Sequence, residues 1–346
     1  MQSRRNVLGI LGLGAVASQL PAGLWSWPLE SAILKPRRLK RGDTVGLINP
    51  AGPTFESVDI EIAEESITGL GLKFKPGAHL RDRYGYLAGK DSDRAADINA
   101  MFADPGVQAI ICVRGGWGCN RLLPLLDYSV IKKNPKILMG YSDVTSLLVA
   151  IYAKTGLVTF HGPVGSSTWN RFSIDYVQRV LFDGERVTMQ NPVVLGDNLT
   201  QTRDRVDTIT PGKARGRLVG GNLSVLSAMI GSEYLPDWKG HILFLEDTDE
   251  QIYRIDRMLT QLKLAGVLNH VSGVVFGKCT NCTPGDGFGS LTLEEVFDDV
   301  LKPLNVPCWT GSMIGHIENK FTVPLGVQAE IDANNGTIQL LESAVA

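Results

Sequence analysis

The sequence predicts an α/β protein in which a parallel sheet is covered by helices on both faces, as in doubly wound folds. The chain has 346 residues, 44% of them hydrophobic, which is enough for a large core and for about two domains. Short apolar runs alternate with amphipathic stretches, a pattern typical of parallel strands that are buried on both faces. Glycine-rich and polar segments follow these runs, at the sheet edge where ligands of such folds bind.

Residues 40–183 form the predicted N-terminal domain, which contains the parallel sheet. Its apolar runs are rich in Val, Ile and Leu, and the longer stretches between them have apolar residues at helical spacing. The predicted strands are 44–50, 109–113, 136–139 and 158–160, and the predicted helices are 58–70 and 144–154.

Residues 184–213 turn polar, with Asn, Asp, Thr and Arg in place of periodic apolar residues, and we predict a linker there. Residues 214–346 form the predicted C-terminal domain, which again alternates apolar runs with amphipathic stretches. Its predicted strands are 242–245, 274–276, 328–331 and 337–341, and its predicted helices are 251–265 and 293–301.

The first residues predict an export signal. Arg4 and Arg5 precede a mildly apolar run at 7–17, and small residues follow, which is the pattern of a twin-arginine signal. We therefore predict that residues 1–32 are a signal segment and that the mature protein is periplasmic; without a signal it would be cytoplasmic. The run is shorter than the ~20 residues that cross a bilayer, so we predict no membrane span once the signal is removed.

Composition and charge favour a small, nearly neutral ligand over nucleic acid, because 34 Lys and Arg residues balance 36 Asp and Glu residues. No cofactor is predicted, since the segment 114–118 lacks the glycine spacing of a dinucleotide site. Cys279 and Cys282 have the spacing of half a zinc site, but the other half is missing, and no metal is predicted. The sequence leaves open whether these two cysteines form a disulfide.

The sharpest functional signal is a serine between a predicted strand and a predicted helix. Residues 140–143 make a tight connection, which exposes the Ser142 hydroxyl and points the helix N-terminus at developing negative charge. This spacing is typical of a nucleophile elbow, with Val144 where the second glycine usually stands. The alternative is that Ser142 or Asp143 only caps the helix.

A nucleophilic serine needs a base, which is most often a histidine held by a carboxylate. By position alone His161 and His316 both qualify, because each follows a predicted strand, and each could equally be a hydrogen-bonded structural side chain. Among the carboxylates, Glu246 ends the apolar run 242–245, where it either caps the next turn or points into a cleft.

Several motifs occur together and in a fixed order. They are RGGWG at 114–118, GYSDVT at 140–145, FHGP at 160–163, GGNL at 220–223, LED at 245–247 with YRIDRML at 253–259, and GH at 315–316 with PLG at 324–326. Each motif alone is unspecific, but the set resembles the LD-carboxypeptidase family. The resemblance runs from about residue 40 to residue 340, essentially the whole mature chain.

The resemblance implies a serine carboxypeptidase that removes the terminal D-alanine from murein tetrapeptides. It implies that Ser142 is the nucleophile, His316 the general base and Glu246 the carboxylate of the triad. The backbone N–H groups of Asp143 and Gly116 match the family's oxyanion site. It also implies an N-terminal α/β domain paired with a smaller, β-rich C-terminal domain, a triad assembled across the two, and a homodimer, the state of many members.

An exocarboxypeptidase must also recognise a free terminal carboxylate. Arginine suits this because its planar fork bonds a carboxylate at two points, and Arg114, Arg81 and Arg83 are the candidates. Trp117 and Tyr141 are predicted to wall the substrate pocket. Each of these side chains also has a structural interpretation, since surface arginines usually form ion pairs and aromatic rings at strand ends usually pack.

Two other functions stay open at the level of sequence. Self-immunity peptidases that cleave microcin C-like peptidyl nucleotides have the same triad, and inspection does not separate their substrate loop from this one. A non-catalytic muropeptide-binding protein on a hydrolase fold is the other, although all three triad positions are intact here. The family's cytoplasmic members lack an export signal, so the leader argues against cytoplasmic murein recycling.

Overall fold

A computed structural model describes residues 32–285 and 289–346 of the chain, so the predicted signal lies outside the described residues except for Ala32. The strands are β1 (Thr44–Ile48), β2 (Lys73–Pro76), β3 (Ala109–Cys112), β4 (Ile137–Gly140), β5 (Thr159–His161), β6 (Thr188–Gln190), β7 (Asp207–Thr210), β8 (Lys213–Asn222), β9 (Ile242–Thr248), β10 (Gly273–Thr280), β11 (Cys308–Thr310), β12 (Val323–Leu325), β13 (Gln328–Asp332) and β14 (Thr337–Leu340). The α-helices are α1 (Ser57–Gly69), α2 (Asp91–Ala103), α3 (Tyr128–Lys133), α4 (Thr145–Thr155), α5 (Arg171–Val177), α6 (Leu223–Met229), α7 (Ile252–Leu264) and α8 (Leu293–Val300).

The first sheet has six strands in the order β12-β5-β4-β3-β1-β2. The strands from β1 to β5 are parallel, and β12 is antiparallel to β5. The central strands β3 and β4 are buried along their whole length, which explains why they read as continuous apolar runs. The helix α4 is apolar almost all round because nearly every one of its residues is buried. The predicted α/β fold with a parallel N-terminal sheet is confirmed.

The second sheet has eight strands in the order β6-β14-β13-β8-β9-β10-β11-β7. Its centre, from β8 to β11, is parallel. The remaining strand pairs, β13 with β8, β14 with β13, β6 with β14 and β7 with β11, are antiparallel. The parallel strand β9 is buried along most of its length. The sheet is therefore mixed, and the LED motif at 245–247 lies inside the parallel strand β9.

The polar segment 184–213, predicted to be a linker, contributes the two edge strands of the second sheet. β6 lies at one edge and β7 at the other, and both are half exposed. An edge strand is exposed to solvent on one face and along its unpaired backbone edge. It therefore needs few apolar residues, and its sequence shows little hydrophobic periodicity. The domain boundary itself stays a prediction.

The C-terminal part of the chain returns to the first sheet. After His316 the chain enters β12, which pairs with β5 at its end, where Val323 lies opposite His161. The last residue, Ala346, exchanges backbone hydrogen bonds with the segment before β1: its N–H donates to the Pro36 carbonyl at 2.8 Å. The halves are thus interleaved, which brings His316 to the carboxyl edge of the first sheet. In the part of the chain that is described, no helix is both long and apolar enough to cross a bilayer.

Candidate active site

Ser142 stands at a sharp turn between β4 and α4. Its backbone is left-handed, with a φ of 64°, a conformation that costs a residue with a side chain about 1 kcal/mol or more. The turn closes because Gly140 has no side chain: a Cβ there would lie 2.8 Å from Cγ1 of Val144. The local sequence therefore forces the serine to the carboxyl edge of the first sheet, as in a nucleophile elbow.

Among the described residues, neither the Ser142 nor the Asp143 side chain caps α4. The buried Asp143 carboxylate instead accepts a hydrogen bond from the Cys119 backbone N–H at 2.8 Å. Burial raises the pKa of Asp143 above its ordinary value. The Asp143 side chain thus anchors the glycine-rich loop, and only its backbone N–H is a candidate for the oxyanion site.

The glycine-rich loop after β3 lies directly against the serine. A Cβ on Gly115 would lie 2.6 Å from the Ser142 Cβ, closer than real side chains approach. Gly116 has a φ of 137°, and a Cβ there would lie 2.6 Å from the Gly52 backbone nitrogen. Glycine is required at both positions. The Gly116 N–H donates no hydrogen bond within the described residues, so it is open to a ligand.

Glu246 and His316 form a hydrogen-bonded pair, with Nδ1 of His316 2.8 Å from Oε2 of Glu246. Glu246 is fully buried inside β9, because the strand continues past the apolar run that the sequence predicts. The histidine approaches closely because Gly315 precedes it. That glycine has a φ of 126°, and a Cβ there would lie 2.9 Å from Oε2 of Glu246.

The two partners shift each other's pKa in opposite directions. Burial raises the pKa of Glu246, but the hydrogen bond and charge of His316 outweigh it, so the net pKa is lowered. Burial lowers the pKa of His316, but the hydrogen bond and charge of Glu246, with Asp247, raise it above its ordinary value. For Asp247, burial and the charge of Glu246 raise the pKa to about 6. The result is an ionised carboxylate beside an imidazole that accepts a proton readily.

Tyr141 connects the serine turn to the histidine. Its ring centroid lies 4.9 Å from that of His316 and 6.0 Å from that of His161. Ser142 is the next residue along the chain, so this ring contact places the serine turn in the same region as His316. His161 is buried against Phe244, and neither ring nitrogen has a hydrogen-bond partner among the described residues. Burial lowers its pKa to about 4. Of the two histidines left open by sequence, only His316 is hydrogen-bonded to a carboxylate.

The predicted substrate-binding side chains surround the same edge of the sheet. Arg114 donates from Nη1 to the Pro53 carbonyl at 3.2 Å, which ties it to the loop after β1. Trp117 is 65% exposed and lines an open cavity of about 550 Å³ together with Tyr86. Tyr141 is half-buried beside the histidines. The roles of Arg114, Trp117 and Tyr141 in binding stay predictions.

Comparison with known proteins assigns the family. Residues 45–162 match the LD-carboxypeptidase N-terminal domain and residues 215–331 match the LD-carboxypeptidase C-terminal domain. The chain belongs to the LD-carboxypeptidase family. A relative in Bacillus subtilis (strain 168), named "Probable murein peptide carboxypeptidase", is 39% identical over 312 residues, which cover 90% of this chain and 95% of that protein.

Two further relatives of this chain extend the comparison. The murein tetrapeptide carboxypeptidase of Pseudomonas aeruginosa is 30% identical over 84% of this chain and 93% of its own length. The solved structure of the microcin C7 self-immunity protein MccF of Escherichia coli has a TM-score of 0.81 and 29% identity, covering 90% of this chain and 100% of that one. The predicted family, fold and serine-type hydrolase class are confirmed.

Sequence reasoning missed Lys320, which lies at the candidate site. It is 4% exposed, and its Nζ lies 4.9 Å from the centroid of the Tyr141 ring. Its charge acts on both Glu246 and His316. The signal that could have found it is its place four positions after His316, directly before the apolar residues that lead into β12. Lysine is almost never fully buried without a reason.

Cys279 and Cys282 are joined by a disulfide, with Cα atoms 5.5 Å apart. The sequence left open whether these two cysteines form a disulfide, and the structure shows that they do. The disulfide lies at the end of β10, where Thr280 donates from Oγ1 to the His316 carbonyl at 3.0 Å. The free cysteines of the described residues are all buried: Cys112, Cys119 and Cys308.

In the part of the chain that is described, one group of side chains has the spacing to hold a metal ion. The ligand atoms of His79, Asp82 and Asp93 lie within 4.8 Å of one another. His79 is already hydrogen-bonded from Nδ1 to Asp82 at 2.8 Å, and the group is partly exposed. His79 and Asp82 lie between β2 and α2, and Asp93 lies in the first turn of α2.

Proposed function

We propose that the protein is a serine carboxypeptidase that releases the terminal D-alanine of murein tetrapeptides. The observation that carries the proposal is the 2.8 Å hydrogen bond between His316 and Glu246 beside the strained turn at Ser142. A histidine held in this way is the base that a serine nucleophile needs. The names of the relatives from Bacillus subtilis and Pseudomonas aeruginosa, which refer to murein peptides, support the substrate.

In the proposed mechanism, Nδ1–H of His316 donates its hydrogen bond to the Glu246 carboxylate. Nε2 of His316 accepts the Ser142 proton as the hydroxyl attacks the carbonyl before D-alanine. The N–H groups of Asp143 and Gly116 bind the oxyanion, a kind of contact typically worth about 3 kcal/mol per donor. His316 then gives its proton to the amine of D-alanine, which leaves. Water, activated by the same imidazole, hydrolyses the acyl-enzyme and frees the tripeptide and the serine.

Replacing Ser142 with Ala tests the nucleophile. We expect the variant to lose release of D-alanine from a disaccharide tetrapeptide by about 10⁴-fold or more, because a triad acts as a unit. Its thermal midpoint should be nearly unchanged, since alanine keeps the Cβ that packs on Gly115. Products are identified by mass. Ser232→Ala, at an exposed serine, is the matched control, and retained turnover in the Ser142 variant would refute the assignment.

The likeness to MccF favours cleavage of a microcin C-like peptidyl nucleotide as a second candidate function, because the fold matches over 90% of this chain. The same purified enzyme is therefore offered both substrates at equal concentration. We expect the muropeptide to be cleaved with the higher kcat/KM, and the reverse order would replace the first proposal by the second. If the protein binds the muropeptide without cleaving it and is not labelled by a serine-directed phosphonate, it is instead a non-catalytic muropeptide-binding protein.

We also propose that the protein acts outside the cytoplasm, as the pattern in residues 1–32 predicts. The Cys279–Cys282 disulfide supports this, because disulfides persist in oxidising compartments. Cell fractionation should find the mature chain in the periplasm, and replacing Arg4 and Arg5 with Lys should retain it in the cytoplasm. Thiol titration of the exported, denatured chain should detect only the three free cysteines. An unchanged distribution would argue against a twin-arginine signal.

A further inference from the structure

Lys320 is buried, and no acidic side chain of the described residues is in contact with its ammonium group. The residue is 4% exposed, and within the described residues its Nζ makes neither a hydrogen bond nor an ion pair. Its close neighbour is the ring of Tyr141, 4.9 Å away. Glu246 and Glu318 act on the ammonium from beyond ion-pair distance. The positive charge therefore faces the site without being neutralised.

Such an arrangement is unfavourable unless a ligand completes it. An unpaired charge is costly to bury, and an aromatic face offsets only part of that cost. Burial lowers the pKa of Lys320 to about 8, so the group is still mostly charged at neutral pH. Glu246, the carboxylate of the proposed triad, already accepts the hydrogen bond of His316. A negatively charged group of the substrate would therefore neutralise the Lys320 ammonium.

We propose that Lys320 binds the free carboxylate of the residue that the enzyme releases. This inference rests on the proposed function, and it explains why the enzyme would act only at a chain end. Tyr141 directly precedes Ser142, so the ammonium lies over the ring of the residue next to the nucleophile. In the proposed substrate the terminal carboxylate belongs to the residue directly after the scissile carbonyl, so a cation in the region of the nucleophile is suited to bind it.

Two of the three arginines that the sequence offered for this role, Arg114 and Arg83, have other partners. The Arg114 guanidinium donates to the Pro53 carbonyl. The Arg83 guanidinium lies over the Phe55 ring, 5.3 Å from its centroid. Lys320 is the buried cation that contacts a residue adjacent to the nucleophile, which is why we assign the carboxylate to it.

The test compares two peptides that differ only at their end, one with a free D-alanine carboxylate and one with D-alanine amide. Each is made with diaminopimelate and with lysine at the residue before D-alanine, because diaminopimelate carries a second carboxylate. Lys320→Met removes the charge and Lys320→Arg keeps it, while Lys320→Gln is used where the Met variant fails to fold. Lys154→Met is the matched control, since Lys154 also lies over a tyrosine, 5.0 Å from the Tyr234 centroid, but pairs with Glu233.

We expect wild type to prefer the free acid, and the Met variant to lose at least about 30-fold in kcat/KM on it, mainly through KM. The amide should be cleaved equally by both enzymes, the Arg variant should regain part of the loss, and the Lys154 variant should match wild type. An equal loss on acid and amide would overturn the proposal, because Lys320 would then act on the triad or the fold.

A loss confined to diaminopimelate peptides would also overturn the proposal, since it would assign Lys320 to the side-chain carboxylate of the substrate. Labelling of Ser142 by a serine-directed phosphonate is measured in parallel. If wild type is labelled but cleaves none of the peptides, the proposed substrate is wrong and the Lys320 assignment falls with it. If wild type cleaves the peptides and the Lys320→Met variant cleaves the free acid equally well, only the Lys320 assignment is wrong.

Discussion

At the scale of single residues, His316 is a stronger base than a free histidine because of the groups that face it. Burial and Lys320 lower its pKa, but the hydrogen bond and charge of Glu246, together with Asp247, raise it above the ordinary value of 6.5. The imidazole must be neutral to accept the Ser142 proton. We therefore expect kcat/KM to fall as the pH drops through a pKa above 6.5.

Glu246→Gln removes the main group that raises this pKa, so the acid limb of the pH profile should move to lower pH. The rate at the optimum should fall by at least about 100-fold, because the imidazolium loses its counter-charge. Glu330→Gln, at a surface ion pair with Arg215, is the control and should leave the profile in place. An acid limb that does not move would mean that another group titrates.

Ser142 illustrates how a functional position can oppose stability. Its φ of 64° is strained for any residue with a Cβ. Ser142→Gly should therefore be more stable than Ser142→Ala by about 1 kcal/mol in urea unfolding. Both variants lack the hydroxyl and should be inactive, so the comparison isolates the backbone. Equal free energies of unfolding would show that the turn is not strained.

At the scale of elements, the sequence predicts the parts of the site that depend on local pattern. The strand and helix around Ser142 show as apolar runs, and Glu246 stands out as an acid in an apolar strand. The edge strands β6 and β7 could not be predicted, because half-exposed polar strands lack periodicity. Lys320 was missed because its burial arises from the return of the chain to the first sheet, a long-range contact that local pattern does not show.

The contact between β8 and α4 gives an element-scale prediction. Gly221 has a φ of 146°, and a Cβ there would lie 2.5 Å from Oγ1 and Cγ2 of Thr145, the first residue of α4. Gly221→Ala should therefore displace the helix that follows Ser142 and lower kcat/KM. It should also lower the free energy of unfolding by about 1–3 kcal/mol. Gly231→Ala is the control, since its φ is also positive, at 90°, but nothing lies within 4 Å of its Cβ. Equal effects of the two variants would exclude the contact as the cause.

At the scale of the whole molecule, the two family domains are not independent pieces. The N-terminal match ends at residue 162, yet β12 completes that sheet from residues 323–325. Strand β5, which β12 covers, includes the buried Phe160. The C-terminal residues also pack back onto the segment before β1, with Val345 buried. The homodimer that the family resemblance implies stays a prediction, which light scattering would test.

This interleaving predicts that the protein unfolds as one unit. Calorimetry of residues 32–346 should give a single transition whose calorimetric and van't Hoff enthalpies agree, because neither sheet is complete without the other half. A fragment of residues 32–214 should fail to melt cooperatively, since it lacks β12 and exposes the apolar surface that β12 covers. Adding residues 215–346 should restore both the transition and labelling of Ser142 by a phosphonate, because Glu246 and His316 come only from that half. Two separate transitions, or a fragment that melts cooperatively alone, would show that the return strand is dispensable and that the site is assembled between domains that fold separately.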